Sequence, residues 1–225
     1  MAKSKLERFA DIDEFENVFE LTDFQKDSNA KPKGLWREKI FQNENPVVLE
    51  LACGKGEYTV ELAEKEPCRN FVGIDIKGSR LWKGARKARD EGLKNVRFLR
   101  IYIDHLSEYF AAREVDEIWI TFPDPYLKGG DRNKRLTSER FLNTYQSLLK
   151  KPGLIHLKTD SKPLFEFTEY MVNDFGGTVI ERVEDVYKER GNDEYLTIKT
   201  DFERKHLEKG KIIKYLKFCL PESDV

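Results

Sequence analysis

A chain of 225 residues is long enough for one main domain with a substantial core. Its 40 Lys+Arg against 41 Asp+Glu leave a formal net charge of -1, so any surface for nucleic acid must come from local segregation of charge. No run of ~18 apolar residues occurs, the start Met1-Ala2-Lys3-Ser4-Lys5 has no apolar leader, and three scattered cysteines and three scattered histidines offer no CxxC pair. These features argue against a membrane span, secretion, a disulfide scaffold and a structural zinc site, and for a cytoplasmic protein.

Residues 1–44 read as an N-terminal arm, with acids clustered from Glu7 to Asp23, a hinge at Lys31-Pro32-Lys33-Gly34 and a short helix over Leu35 to Phe41. From Pro46 the pattern alternates. Strands are expected at Val47 to Leu51, Asn70 to Asp75, Val96 to Ile101, Glu117 to Thr121 and Leu154 to Lys158. Helices are expected at Glu57 to Glu64, Ser79 to Glu91, Ser138 to Leu149 and Leu164 to Asp174. Beyond Gly176-Gly177 the signal turns strand-like, at Thr178 to Val183, Tyr195 to Phe202 and Ile212 to Leu220. Alternating β and α units predict an α/β fold with a doubly wound, mostly parallel sheet and an antiparallel pair at its C-terminal edge.

Three segments follow predicted strands: Glu50-Leu51-Ala52-Cys53-Gly54-Lys55-Gly56, Gly73-Ile74-Asp75, and Phe122-Pro123-Asp124-Pro125-Tyr126-Leu127-Lys128. In an open α/β sheet that edge carries the ligand crevice, so the three converge on one site. A single G-x-G after a strand is shared by many nucleotide folds. Here the third glycine of the dinucleotide fingerprint is missing, with Val60 and Glu61 in its region. Glu50 would repel a pyrophosphate but attract an α-ammonium, and Asp75 suits a pair of ribose hydroxyls, which together favour S-adenosylmethionine. The plain alternative is that Glu50 caps a turn and Asp75 the helix near Ser79. Ala52, where methyltransferase loops usually carry glycine, is expected to keep a negative φ.

Asp124 stands between two prolines, which should bias Phe122 and Asp124 toward extended backbone and present the carboxylate on a stiff turn. Lys128, Arg132, Lys134, Arg135 and Arg140 follow at once, a basic cluster in a balanced chain and the expected place for a phosphate backbone. An ordinary solvated loop is the competing reading. On the helix from Ser79, Leu81, Trp82, Ala85 and Ala88 should bury, leaving Lys83, Arg86, Lys87 and Arg89 as a solvated face.

From about Trp36 to Leu220 the chain resembles the bacterial TrmB-type tRNA (guanine-N7)-methyltransferase family. The resemblance rests on the segments quoted above and on Lys134-Arg135-Leu136-Thr137, Thr159-Asp160 and Thr200-Asp201-Phe202-Glu203. It implies a class I, Rossmann-like methyltransferase domain over 45–225 and transfer of a methyl group from S-adenosylmethionine to N7 of the variable-loop guanosine (position 46) of tRNA. It further implies Glu50, Gly54, Gly56, Asp75 and Asp124 around the cofactor, with Asp124 the catalytic-site acid. Lys128, Asp160 and Thr200 to Glu203 would meet the substrate, beside the cluster of Arg132, Lys134 and Arg135 already expected to take tRNA phosphates. The family's Asp-Ala pair for the adenine has no clear counterpart, leaving Tyr102 and Asp104 as candidates, and Tyr126 stands where many members carry Trp. No obligatory protein partner is called for.

Guanine N7 has a lone pair and no proton, so no general base or metal is demanded and alignment is the main task, an effect of roughly 7–11 kcal/mol at most. An exocyclic-amine methyltransferase is the alternative, since Asp124-Pro125-Tyr126 is one proline short of its Asn/Asp-Pro-Pro-aromatic turn. A dehydrogenase and a non-catalytic RNA-binding module are more distant rivals.

Overall fold

The computed structural model describes residues 4–20 and 31–222, so the end of the expected acidic cluster, including Asp23, lies outside the described residues. In chain order the elements are α1 (Lys5–Asp13), β1 (Val18–Glu20), a π-helical turn (Trp36–Phe41), β2 (Val47–Leu51), α2 (Glu57–Lys65), β3 (Asn70–Ile74), α3 (Gly78–Asp90) and β4 (Val96–Arg100). Then come a 3-10 turn (Ile103–His105), α4 (Leu106–Tyr109), β5 (Val115–Thr121), a second 3-10 segment (Gly129–Lys134), α5 (Glu139–Leu148) and β6 (Leu149–Thr159). The chain finishes with α6 (Lys162–Asp174), β7 (Thr178–Val183), α7 (Val186–Glu189), α8 (Asp201–Leu207) and β8 (Lys214–Cys219).

One eight-stranded sheet runs β1-β4-β3-β2-β5-β6-β8-β7, parallel from β1 through β6 and antiparallel at β6–β8 and β8–β7. The expected parallel sheet with an antiparallel C-terminal edge is therefore present. Strand β2 is buried throughout because helices cover both of its faces. Val47, Leu49 and Leu51 enter one core layer with Trp36, Phe110 and Tyr145, while Val48 enters the other with Tyr58, Val60 and Trp119. That alternation puts Glu50 on the Val48 face, against α2. From β2 the chain winds outward through β3 and β4, then returns to lay β5 on the other side of β2. The switch point at the C-terminal ends of β2 and β5 is where such sheets open a crevice.

The N-terminal segment joins this body: β1 pairs with β4, and Trp82 of α3 donates its indole N–H to Asp11 of α1 (2.7 Å). The Tyr195 to Phe202 segment is not a strand. Asp193 accepts from the backbone N–H groups of Tyr195 and Leu196 (both 2.9 Å), which turns the chain, and β8 takes the place beside β6. The strand-like pattern arises because Leu196 and Ile198 both bury in the core. Among the described residues, no helix is long and apolar enough to cross a membrane, and no cluster of His, Cys, Asp or Glu could hold a metal ion.

Candidate active site

The three sequence segments meet at the switch point. The loop after β2 is tight: Ala52, Gly54 and Gly56 all have positive φ, at 57°, 58° and 65°. The expectation of a negative φ at Ala52 is thus corrected, and the position carries the cost of a left-handed residue with a side chain. Glycine at 56 is required twice over, since a Cβ there would also lie 2.4 Å from the Phe98 ring. Asp75 ties the loop to β3: its Oδ2 accepts from the Gly54 N–H (3.0 Å) and its Oδ1 from the Lys77 N–H (2.8 Å). It therefore caps the turn into α3 and fixes the glycine loop at once, while lining the larger of two clefts.

Glu50 lies beneath this loop, only 3% exposed. Its Oε2 accepts from the Thr59 N–H (2.8 Å) and hydroxyl, and its Oε1 from the Thr121 hydroxyl (2.6 Å). Burial raises its pKa to about 7, against the opposing pull of those hydrogen bonds, and the neighbouring Asp75 charge adds to the rise. Burial also pushes the Cys53 thiol well up, so that side chain is packing, not a nucleophile.

Asp124 is exposed, and no described residue bonds to or pairs with it. Its turn departs from expectation at Phe122, which has φ 48° and is left-handed, not extended; Tyr126, past the second proline, is left-handed too, at φ 41°. The Phe122 N–H still bonds the Lys158 carbonyl (2.8 Å) as β5 ends, and the chain must reverse at once. Arg135 holds the turn, its guanidinium donating to the carbonyls of Pro125 (3.0 Å) and Tyr126 (2.9 and 3.2 Å) while it stacks on Phe167. Arg135, expected to meet a phosphate, is 7% exposed and spends Nε and Nη2 on these carbonyls, so its role here is to brace the turn.

The remaining basic residues divide by partner. Lys128 and Arg132 are exposed and form no ion pair among the described residues, Arg132 lying over the Phe167 ring, whereas Lys134 pairs with Asp131 (2.7 Å) and Arg140 with Asp104 (2.6 Å). Asp104 and Tyr102 line the same cleft, Tyr102 with 55% of its surface exposed.

The Thr200-Asp201-Phe202-Glu203 segment begins α8. The Thr200 hydroxyl caps the helix by accepting from the Glu203 N–H (3.1 Å). Glu203 is fully buried, accepting from Lys158 Nζ (2.8 Å) and the Tyr187 hydroxyl (2.7 Å), so its expected contact with substrate is corrected to an anchoring one. With its first and last residues thus engaged, the segment presents Asp201 and Phe202 to the site. Asp201 pairs with Lys55 of the glycine loop and donates its N–H to Glu57 (2.7 Å). Phe202 meets Phe122 at 5.3 Å and stacks on His206 at 3.9 Å, and Nδ1 of His206 donates to Asp160 (2.8 Å).

Two clefts of about 320 and 610 Å³ share Ala52, Arg80, Phe122 and Phe202 and form one crevice. The smaller reaches Lys55, Thr121 and Asp201, and the larger reaches Asp75, Tyr102 and Asp124. Sequence reasoning passed over Lys55, Arg80, Thr121, Lys158 and His206. Only the first had a local signal, its place inside the glycine loop.

Residues 44–216 match a family model described as "Putative methyltransferase". The chain is 46% identical over 219 residues to a tRNA (guanine-N(7)-)-methyltransferase of Christiangramia forsetii, covering 96% of this chain and 98% of that one. It is 46% identical over 223 residues to the protein of the same description in Bacteroides fragilis, covering 99% and 88%. Among solved structures, the 16S rRNA methyltransferase KamB superposes with a TM-score of 0.63 at 18% identity, over 82% of this chain and 92% of that one. A 16S rRNA (adenine(1408)-N(1))-methyltransferase with cosubstrate SAM from Catenulisporales acidiphilia gives 0.59 at 14%, over 83% and 91%.

Proposed function

The chain belongs to the tRNA (guanine-N7)-methyltransferase family, and on that footing we propose that it methylates N7 of the variable-loop guanosine, position 46, of tRNA in the cytoplasm. The observation that carries the reading is Asp124: an unpaired carboxylate on a braced, left-handed turn across the crevice from the glycine loop. We assign residues 45–225 to the methyltransferase domain and the first 44 to an arm, of which β1 pairs with β4 and α1 meets α3.

The crevice suits S-adenosylmethionine by its donor set. Asp75 sits just past β3 for the ribose hydroxyls, Glu50 lies under the floor where an ammonium above it would favour its charged form, and the Gly54–Gly56 turn lets backbone approach closely. Tyr102 offers an exposed face for the adenine, whereas the Asp104 carboxylate is already held by Arg140. The cofactor supplies a methyl group on a sulfonium.

The protein's own task is alignment. N7 needs no base to expose its lone pair, so the residues at the site must orient the guanine and exclude water, and well-oriented reactants can gain roughly 7–11 kcal/mol. Asp124 grips a donor on the base edge and stabilises the positive charge that develops on the purine. Its turn cannot drift, because Arg135 ties the two carbonyls that follow it. Lys128 and Arg132, which form no ion pair among the described residues, take the phosphate backbone beside it. Incubation with labelled S-adenosylmethionine and unmodified tRNA, followed by nucleoside digestion, tests the whole. The expected product is 7-methylguanosine, and a label on an exocyclic amine would move the assignment to that class.

A further inference from the structure

Phe202 is 45% exposed and lines both clefts at the mouth of the crevice. An exposed phenyl ring at the start of a helix has two soft torsions and no reason to stay in one place. Here it has one. The imidazole of His206, one turn along α8, stacks against it with ring centroids 3.9 Å apart and 24° between the planes. That imidazole is itself fixed, because Nδ1 donates to Oδ2 of Asp160 (2.8 Å) at the end of β6, and the two side chains are only 24% and 16% exposed. The sheet thus holds Asp160, Asp160 holds His206, and His206 backs Phe202.

We propose that His206 is a positioning residue for methyl transfer, which uses the Asp160 carboxylate to hold the Phe202 ring as the platform on which the substrate base stacks. The inference rests on the reading of the crevice as a base-methylating site. It changes what Asp160 does: the carboxylate acts through His206 and not by touching the substrate. A base laid on the open side of Phe202 would lie over a ring whose other face is already filled, in a crevice that Phe122 and Asp124 also line. Base–aromatic stacking is sequence-tolerant, so the platform supplies position, and base choice is left to groups such as Asp124.

Four variants in single-turnover methylation of unmodified tRNA test the chain of support. His206→Ala should lower the rate at limiting tRNA by about tenfold, the scale of one lost stacking arrangement, with cofactor affinity and melting temperature unchanged. His206→Phe keeps a flat ring against Phe202 and should recover most of that loss. Asp160→Ala alone should resemble His206→Ala, but in the His206→Phe background it should cost little more, because no imidazole is left for the carboxylate to hold. An equal cost of Asp160→Ala in both backgrounds would show that Asp160 meets the substrate directly and would overturn the proposal. So would a wild-type rate in His206→Ala. A wild-type enzyme that yields no 7-methylguanosine fails the underlying reading instead, and the same digest reports it.

Discussion

Lys55 and Asp201 form an ion pair across 146 residues of sequence, joining the glycine loop to the first residue of α8. Asp201 also donates its N–H to Glu57, so the start of α8 is fastened to both ends of the loop's C-terminal half. The Lys55 hydrogen bond, helped by Arg204, holds the Asp201 carboxyl well below the usual carboxylate range. Both side chains are about a third exposed, which limits the pair's worth for stability to under ~1 kcal/mol. Its larger effect should be on communication, since one partner borders the cofactor loop and the other the proposed base platform. Lys55→Ala and Asp201→Ala should each weaken cofactor binding, and the double variant should weaken it by less than the two combined, with a coupling of roughly 0.5–1 kcal/mol by calorimetry. Strict additivity would mean that the pair links nothing.

Glu50 should make cofactor binding depend on pH. Its ordinary pKa of 4.5 rises to about 7 in the folded protein, chiefly through burial. The folded state therefore keeps a proton that the unfolded chain releases between those values. Stability from this source is full below pH 4.5 and is lost as pH rises through 7, by roughly 3 kcal/mol at most. A cationic cofactor above the carboxylate favours the charged form, so binding near pH 6 should release a proton. Calorimetry in buffers of different ionisation enthalpy should detect that release in the wild type and not in Glu50→Gln. The same substitution should flatten the stability curve between pH 4.5 and 7.

The buried Lys158–Glu203 pair should behave as an all-or-none unit. Both side chains have no exposure, and burial lowers the lysine pKa while Glu203 opposes the fall. Glu203→Ala would leave an ammonium stranded in the core and should cost ~3–5 kcal/mol in urea unfolding. Replacing both with apolar residues should recover much of that loss.

The sheet and the crevice were legible because both depend on local signals: buried β runs of five residues, glycines after a strand, and two prolines around Asp124. The bracing role of Arg135 and the burial of Glu203 were not legible because charge type alone does not say where a side chain ends. Arg135 caps carbonyls nine and ten residues back in sequence, and Glu203 meets a lysine 45 residues away. The helix at Thr200 could have been found, since Thr-x-x-Glu is the signature of a helix start. The alternation of Tyr195, Leu196 and Ile198 outweighed it. His206 carried no signal at all, as its meaning comes from Asp160 on a different strand end.

The salt dependence of tRNA binding should reside in Lys128 and Arg132 more than in Lys134 or Arg135. Lys134 is partly neutralised by Asp131, and Arg135 is committed to the Asp124 turn. Each phosphate contact contributes a slope of roughly 0.7–0.9 to log K against log salt. Neutralising Lys128 and Arg132 together should flatten the slope by about 1.5 while leaving cofactor affinity intact. Arg135→Ala should instead lower turnover at saturating tRNA with little change in slope.

Asp124 provides the sharpest test of mechanism, because the chemistry asks it to orient and stabilise and not to accept a proton. Its carboxylate is exposed and its position is imposed from outside, by the left-handed residues on either side and by the Arg135 brace. Asp124→Ala removes both the grip on the base and the charge, and should lower single-turnover methyl transfer on the order of 10²-fold, as losses of transition-state stabilising groups do. Asp124→Asn keeps an acceptor oxygen and loses only the charge, so it should fall between. Since N7 carries no proton to remove, wild-type turnover should show no acid limb attributable to a general base at Asp124. Alanine at wild-type speed would take Asp124 out of the mechanism. An asparagine variant as slow as alanine would instead place its whole contribution in the negative charge beside the methylated purine.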